Sequence, residues 1–253
     1  MTRTIVFASG KGGVGKSTIA VNVAAAMAKH GLRVGLVDAD VYGPDVPAML
    51  GITRRTEAKS LTLWSANAPK LEPLEAFGIK IMSPQFLISE DQALDWSILL
   101  VELLVRRFVH ETDWGELDFL LVDLPPGTGD LQQVIFNLLP EARAVLVVTP
   151  QYVSHLDARK LVSMLRRCKL RILGAVENMS ALPCPHCGHD IQLYERAAPE
   201  RTLWSQGIEH LAAVPFTAVD EDHVAGRPFV LANPQAPTAR ELNALALTIA
   251  SHA

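Results

Sequence analysis

A chain that runs Gly-Lys-Gly-Gly-Val-Gly-Lys-Ser from Gly10 to Ser17, straight out of the apolar segment Ile5, Val6, Phe7, Ala8, has few folds open to it. The stretch satisfies G-x-x-x-x-G-K-[ST], with a strand pattern before it and a helical pattern after it. Its glycines let the backbone curl with N–H groups turned inward, which holds an anion without a side-chain charge. Lys16 then reaches the outer phosphates of a nucleotide. Ser17 offers its hydroxyl to magnesium at the start of a helix whose positive end adds to the attraction. Gly10, Lys11, Gly12, Gly13, Val14, Gly15, Lys16, Ser17 and Thr18 are thus read as the phosphate-binding segment for ATP. A glycine-rich turn joining a strand to a helix is the bland alternative.

Lys11 stands where the general pattern leaves the residue free, and within one chain it is hard to aim at the phosphates that Lys16 serves. A solvated surface lysine is the competing reading.

The chain has 253 residues, 49% of them hydrophobic, enough for one large α/β domain over 1–253 with a buried core. A net charge of −4 gives no support for nucleic acid or an acidic membrane as a partner. The apolar run at the start is too short for a signal peptide, and nothing approaches the roughly 20 apolar residues of a spanning helix. A cytoplasmic protein is expected. Three cysteines, two of them in one Cys-x-x-Cys, suggest a metal or redox site rather than a disulfide framework.

Ile19, Val23 and Met27 with Ala20 and Ala24 mark the buried face of a helix that stops at Gly31. Continuous apolar runs at 34–37, 119–122, 145–148 and 173–176 read as buried strands, and 211–214 as the last. Residues 41–50 read as a rigid loop with one helical turn. Residues 52–90 mix short apolar runs (61–63, 79–82) with polar breaks, giving a peripheral hairpin and one sheet strand. Helices are expected over 94–109, 157–168 and 238–251. On the second of these, Cys168 shares a face with Leu161, Met164 and Leu165, as a buried small hydrophobe would. Strands alternating with helices predict a doubly wound, mostly parallel sheet.

Asp38, Asp40 and Asp123 all fall at strand ends, on the carboxyl edge where open α/β sheets place ligands. Phosphoryl transfer needs magnesium near the outer phosphates and a group that places the attacking water. Asp123, closing Phe-Leu-Leu-Val-Asp, looks like the carboxylate that serves magnesium. Asp38 belongs near the metal, and Asp40 is the candidate for positioning the water. Any one of them, taken singly, also suits a turn or a helix cap. Pro125-Pro126-Gly127-Thr128-Gly129-Asp130 follows at once, where the backbone N–H of Gly127 could meet the terminal phosphate and make the loop sense it. A rigid turn is the alternative.

Cys184-Pro-His-Cys187 aims two sulfurs at one metal, yet iron–sulfur clusters and structural zinc both normally want four ligands. One chain supplies half a site, and a twofold partner would supply the rest. Zinc assisted by His186 or His189 and a thioredoxin-like redox pair remain open, although Gly188 argues against the helix start a redox pair wants.

Taken in order, Lys-Gly-Gly-Val-Gly-Lys-Ser, Asp38-Ala-Asp-Val-Tyr-Gly-Pro-Asp-Val-Pro47, Leu121-Val-Asp-Leu-Pro-Pro-Gly-Thr-Gly-Asp130 and Val176-Glu-Asn-Met-Ser180 with Cys184-Pro-His-Cys-Gly188 resemble the Mrp/ApbC family of iron–sulfur cluster carrier ATPases, within the MinD/ParA group of deviant phosphate loops. The likeness runs to about residue 190 and weakens beyond. It implies a homodimeric P-loop ATPase that holds a [4Fe-4S] cluster between subunits and passes it to apo client proteins. It also implies that Lys11 crosses to the partner's nucleotide, that Lys11, Lys16 and Asp40 are catalytic, and that Asn178 hydrogen-bonds adenine. A strand-end asparagine making a local turn bond would be the plainer role for Asn178. The chain departs from the family pattern at Trp96, which Ser97-Ile98-Leu99 follows where Arg-Gly-Pro is usual. A partitioning or positioning ATPase of the same group is the competing class. Its basic terminal helix has little counterpart in 238–253, where Arg240 is the one Lys or Arg. A zinc-stapled dimeric nucleotide switch is the third reading.

Overall fold

A computed structural model describes residues 2–52, 70–86, 97–184, 186–217 and 226–253. The first half of the sheet comes from β1 (Arg3–Ala8), β2 (Val34–Asp38), β3 (Leu74–Ala76), β4 (Ile79–Met82) and β5 (Phe119–Asp123). The second half comes from β6 (Arg143–Val148), β7 (Arg171–Asn178) and β10 (His210–Val214), while β8 (Leu182–Pro183) and β9 (Asp190–Ile191) form a separate small hairpin. The main sheet runs β10-β7-β6-β1-β5-β2-β4-β3 and is parallel except for β3. β2 and β5 are buried along their whole length, which is why they read as unbroken apolar runs instead of alternating ones.

Helices cover both faces. On one lie α3 (Ile98–His110), α4 (Asp130–Leu138) and α5 (Tyr152–Arg167), packed on a core that includes Phe108, Val122, Phe136 and Leu161. On the other lie α1 (Lys16–Lys29), the short α6 (Phe229–Ala232) and α7 (Pro237–His252), around Phe7, Ile19, Met27 and Leu242. Ala20, Ala24, Ala25 and Ala26 are all buried on α1, and their small side chains let its backbone lie close to the sheet and to α7. The doubly wound, mostly parallel fold expected from the alternation is the fold observed.

Several boundaries differ from expectation. The loop after β2 holds one helical turn, α2 (Val46–Met49). The expected peripheral hairpin and sheet strand are one unit, with β4 beside β2 and β3 folding back along it at the sheet edge. The 61–63 run lies outside the described residues. Of the expected 94–109 helix, residues 94–96 also lie outside them, and the described helix begins at Ile98. Ser97 caps it, its hydroxyl accepting from the Leu100 N–H at 3.3 Å. That cap is what the departure beside Trp96 contributes here; Trp96 itself is not among the described residues. Helix α4 is an addition, since its glutamines and short length hid its period from the sequence. Cys168 is half-buried at the C-cap of α5, packed against the core.

Candidate functional site

β1 delivers the chain to the carboxyl edge between β5 and β6, where the phosphate loop begins. Two of its glycines are required by geometry. A Cβ on Gly10 would stand 2.4 Å from the Asp157 carbonyl carbon and 2.6 Å from the Ala158 nitrogen, so the loop rests directly on the backbone of α5. Gly15 has a left-handed φ of 81°, and a Cβ there would lie 2.2 Å from the Asn178 amide nitrogen. The Ser9 hydroxyl bridges to the Lys11 carbonyl at 3.0 Å, and α1 opens with the Ile19 N–H on the Gly15 carbonyl at 2.9 Å.

Sheet register gathers the acids. Asp123 sits opposite Asp38 on one side and Phe7 on the other, so both carboxylates flank the base of the loop. Each is fully buried, and Lys16 is only 5% exposed. The Lys16 ammonium donates to Asp123 Oδ1 at 2.6 Å and to the Ser17 hydroxyl at 3.3 Å. Asp38 Oδ2 accepts from the Ser83 hydroxyl at 3.0 Å, and its Oδ1 from the Asp40 N–H at 3.2 Å. Burial pushes the Asp38 carboxyl well above the usual carboxylate range, and the neighbouring negative charge of Asp123 pushes the same way. Burial also raises Asp40, against the pull of Lys16. One oxygen of Asp123 and one of Asp40 are buried with no hydrogen-bond partner among the described residues. Orphaned carboxylate oxygens at the foot of an anion-binding loop, beside the Ser17 hydroxyl, suit a hard divalent cation with its oxygen ligands.

Other predicted site residues stand as follows. The Gly127 N–H donates to the Ser9 carbonyl at 2.9 Å, which stitches the loop after β5 to the start of the phosphate loop. Gln132 on α4 fixes that loop from below by donating to the Pro125 and Pro126 carbonyls. A cleft of about 630 Å3 opens there, lined by Asp40, Tyr42, Ile98, Pro126, Gly127 and Gln132 among others. Lys11 is half-buried, and its ammonium donates to the Gln151 side-chain oxygen at 3.4 Å. Asn178 uses its amide N–H to hold the Val14 carbonyl at 2.8 Å, a bond across the molecule and not the local turn bond that its strand-end position suggested.

The cysteine pair sits at the tip of the β8–β9 hairpin. The Cys184 N–H donates to the His189 carbonyl at 2.9 Å and the Gly188 N–H to the Cys184 carbonyl at 2.8 Å, with Gly188 at φ 74°. Cys184 is half-buried and Cys187 exposed. Backbone N–H groups of Cys187 and His186 donate to the Cys184 sulfur, and they hold its thiol below the ordinary range, as a metal-binding thiolate needs. Cys184 opens a turn, without the helix start of a thioredoxin-like pair. Among the described residues no third His, Cys, Asp or Glu gathers with the pair.

Sequence reasoning missed Ser83, Gln132 and Gln151, which hold Asp38, the Gly127 loop and Lys11. Only the fold brings these uncharged side chains to the edge. It also missed the pairing of buried Glu177 with Arg196, visible in sequence as no more than a Glu beside Asn178.

A glycine-turned loop between β1 and α1, its internal lysine, and carboxylates closing the adjacent parallel strands define a nucleotide-binding P-loop NTPase with the MinD/ParA fold. The fold is shared with solved structures. A nucleotide-binding protein of Archaeoglobus fulgidus in complex with ADP superposes with a TM-score of 0.69 at 33% identity, over 97% of this chain and 87% of that one. The septum site-determining protein MinD of Pyrococcus horikoshii, complexed with Mg-ADP, gives 0.69 at 24% identity over 98% and 96%. Within that class, the model of the ParA-type NUBPL iron-transfer P-loop NTPases matches residues 1–250, and the chain belongs to this family. The iron-sulfur cluster carrier protein of Pseudomonas fragi is 40% identical over 96% of this chain and 84% of its own length. The iron-sulfur cluster transfer protein NUBPL of Dictyostelium discoideum is 38% identical over 93% and 72%.

Proposed function

We propose that the chain is an ATP-hydrolysing iron–sulfur cluster carrier that works as a homodimer, holds one [4Fe-4S] cluster between two copies and passes it to apo client proteins. The observation that carries this reading is the placement of the Cys184–Cys187 hairpin just beyond β7, the strand whose last residue, Asn178, is bonded to the phosphate loop. A nucleotide and a metal cargo would then share one edge of the sheet. The names of the relatives in Pseudomonas fragi and Dictyostelium discoideum support it.

In this reading Lys16 exchanges Asp123 for phosphate oxygens, which leaves Asp123, with Asp38 and Ser17, to hold magnesium. Bound magnesium would neutralise phosphate charge and fix the outer phosphates. Asp40 orients the attacking water, and its raised proton affinity suits a group that receives a proton as that water attacks. The Gly127 loop reports the terminal phosphate by trading its bond to Ser9, and Asn178 is assigned to hydrogen-bond the adenine. Lys11 acts on the partner's nucleotide. Mixing Lys11→Ala subunits with Asp40→Ala subunits restores partial ATPase activity if that is so, because one site of each heterodimer regains both groups. No recovery in exchanging mixtures would count against action in trans.

Two thiolates per chain make a full ligand set only with a twofold partner. Anaerobic reconstitution should give about four iron and four sulfide per dimer. Cys184→Ala or Cys187→Ala should abolish uptake, and Cys168→Ala should not. Stoichiometric zinc without iron uptake would overturn the carrier reading in favour of a zinc-stapled nucleotide switch.

A further inference from the structure

The last three residues at the carboxyl end of β7 and just past it are each tied to something different. Because side chains alternate across a strand, Glu177 and Asn178 point to opposite faces of the sheet. Asn178 holds the Val14 carbonyl in the phosphate loop at 2.8 Å. Glu177, only 2% exposed, pairs with Arg196, whose guanidinium also donates to the Ser180 carbonyl at 3.2 Å. Met179 follows with a left-handed φ of 55°, and its sulfur takes the Tyr194 hydroxyl at 3.7 Å.

Tyr194 and Arg196 both belong to the segment that returns from the cysteine hairpin. The same segment is fastened once more by the Ala197 N–H to the Pro150 carbonyl, at the end of β6. The other arm of the hairpin is held by the Ser180 N–H on the Val214 carbonyl at 3.0 Å and the Phe216 N–H on the Ala181 carbonyl at 2.7 Å, at the end of β10, while β8 and β9 are two residues each and β9 is exposed. The segment that returns from the cysteines is therefore placed relative to the nucleotide edge by its ties at the end of β7 and just past β6. Glu177 is buried while Arg196 is half exposed, and a solvent-screened pair of this kind gains little net stability, so what the two contribute is a fixed geometry.

We infer that Glu177 and Arg196 are positioning residues that couple the phosphate loop to the Cys184–Cys187 hairpin, with the end of β7 as a lever between them. A nucleotide seated against Val14 and Gly15 bears on the Asn178 amide that touches both. The adjacent residue carries the displacement through the sheet to Arg196 and so to the cysteine segment. The inference rests on the two-site reading above and adds to it the route by which one site feels the other.

The test uses cluster-free full-length protein, so that a failure of iron uptake would not affect it. Alkylation of Cys184 and Cys187 by iodoacetamide is followed by mass spectrometry with and without Mg-ATP. In the unaltered chain the nucleotide should change the rate by about fivefold or more. Arg196→Gln, and the Glu177→Gln/Arg196→Gln pair that leaves no buried unpaired charge, should keep nucleotide affinity and the nucleotide-free alkylation rate within about twofold while the nucleotide effect vanishes. Arg196→Lys, which retains the ion pair, should retain the effect. A structural role alone would lower thermal stability and shift both sites without separating them. A nucleotide effect that persists in a folded Glu177→Gln/Arg196→Gln protein, or one absent from the unaltered chain, overturns the inference.

Discussion

The phosphate loop and the cysteine hairpin lie near the same edge of the molecule and are built in opposite ways. Around the loop, Lys16, Asp38 and Asp123 are buried at the junction of three parallel strands, and neighbouring backbone stands 2.4 Å from where a Cβ would fall on Gly10. At the hairpin, two short strands and a turn present one half-buried and one exposed sulfur, with open space around Gly188. Chemistry on a phosphate gains from fixed charges in a dry site, because dipoles already in place need no reorganisation. A cargo that must leave gains from the reverse, since thiolates at a surface can be reached by the thiols of an acceptor.

Five substitutions would break or sharpen that contrast. The largest effect is expected from Lys16→Ala, which removes a charge-assisted contact to phosphate and should weaken ATP binding about 100-fold, equivalent to about 3 kcal/mol. An isothermal titration showing less than a tenfold loss would mean the loop backbone holds the nucleotide without it. Next comes Gly10→Ala, where the new methyl meets the backbone of α5 and the helix cannot step aside. Destabilisation of about 3 kcal/mol is expected in urea unfolding.

His155 should make the interior sensitive to acid in a way the hairpin is not. It is fully buried on α5, where its Nδ1 accepts from the Leu203 N–H at 3.3 Å and Trp204 stands edge-on to its ring. Burial, helped by the nearby Arg159, Arg196 and His210, pushes its pKa down to about 4. The unfolded chain binds a proton below about 6.5 that the folded chain refuses until about 4. The stability that neutral His155 allows is therefore complete above pH 6.5 and is lost as pH falls from 6.5 toward 4, by on the order of 3 kcal/mol. His155→Asn keeps an acceptor for Leu203 without a titrating ring. The difference between the two proteins in stability against pH should show that slope and no other.

The smallest effects belong to the hairpin. Gly188→Ala should cost only about 1 kcal/mol, from its left-handed φ alone, since nothing stands within 4 Å. Cys187→Ala should change unfolding free energy by less than about 0.5 kcal/mol while removing metal binding. A loss as large as that of Gly10→Ala at either position would show the hairpin to be part of the folded core, and the contrast drawn here would fail.

Much of the nucleotide site was legible because its signals are local. The spacing of glycines, lysine and serine is contiguous, and Asp38 and Asp123 each close an apolar run long enough to read as a strand. The hairpin was half legible. Cys184 and Cys187 advertise a metal, but nothing local says what else binds it. Helix α4 escaped because a short element with polar residues carries little periodicity, and at the sheet edge the 79–82 run was legible as a strand while its pairing with β3 and β2 was not. Asn178 was marked as a site residue, while its bond to Val14 was out of the sequence's reach because it spans most of the chain.

By itself the sequence determined the alternation of the main strands and helices apart from α4, the phosphate loop, the acids at strand ends and the thiol pair. All of these are set by neighbours within a few residues, through backbone freedom and the alternation of polar and apolar side chains. The tertiary structure alone decided which acids face each other, that Lys16 pairs with Asp123, that Ser83 holds Asp38, and that Glu177 and Asn178 bind Arg196 and Val14 on opposite sides of one strand. Those pairings depend on sheet order and register, which arise from packing between segments far apart in the chain and leave no local pattern to read.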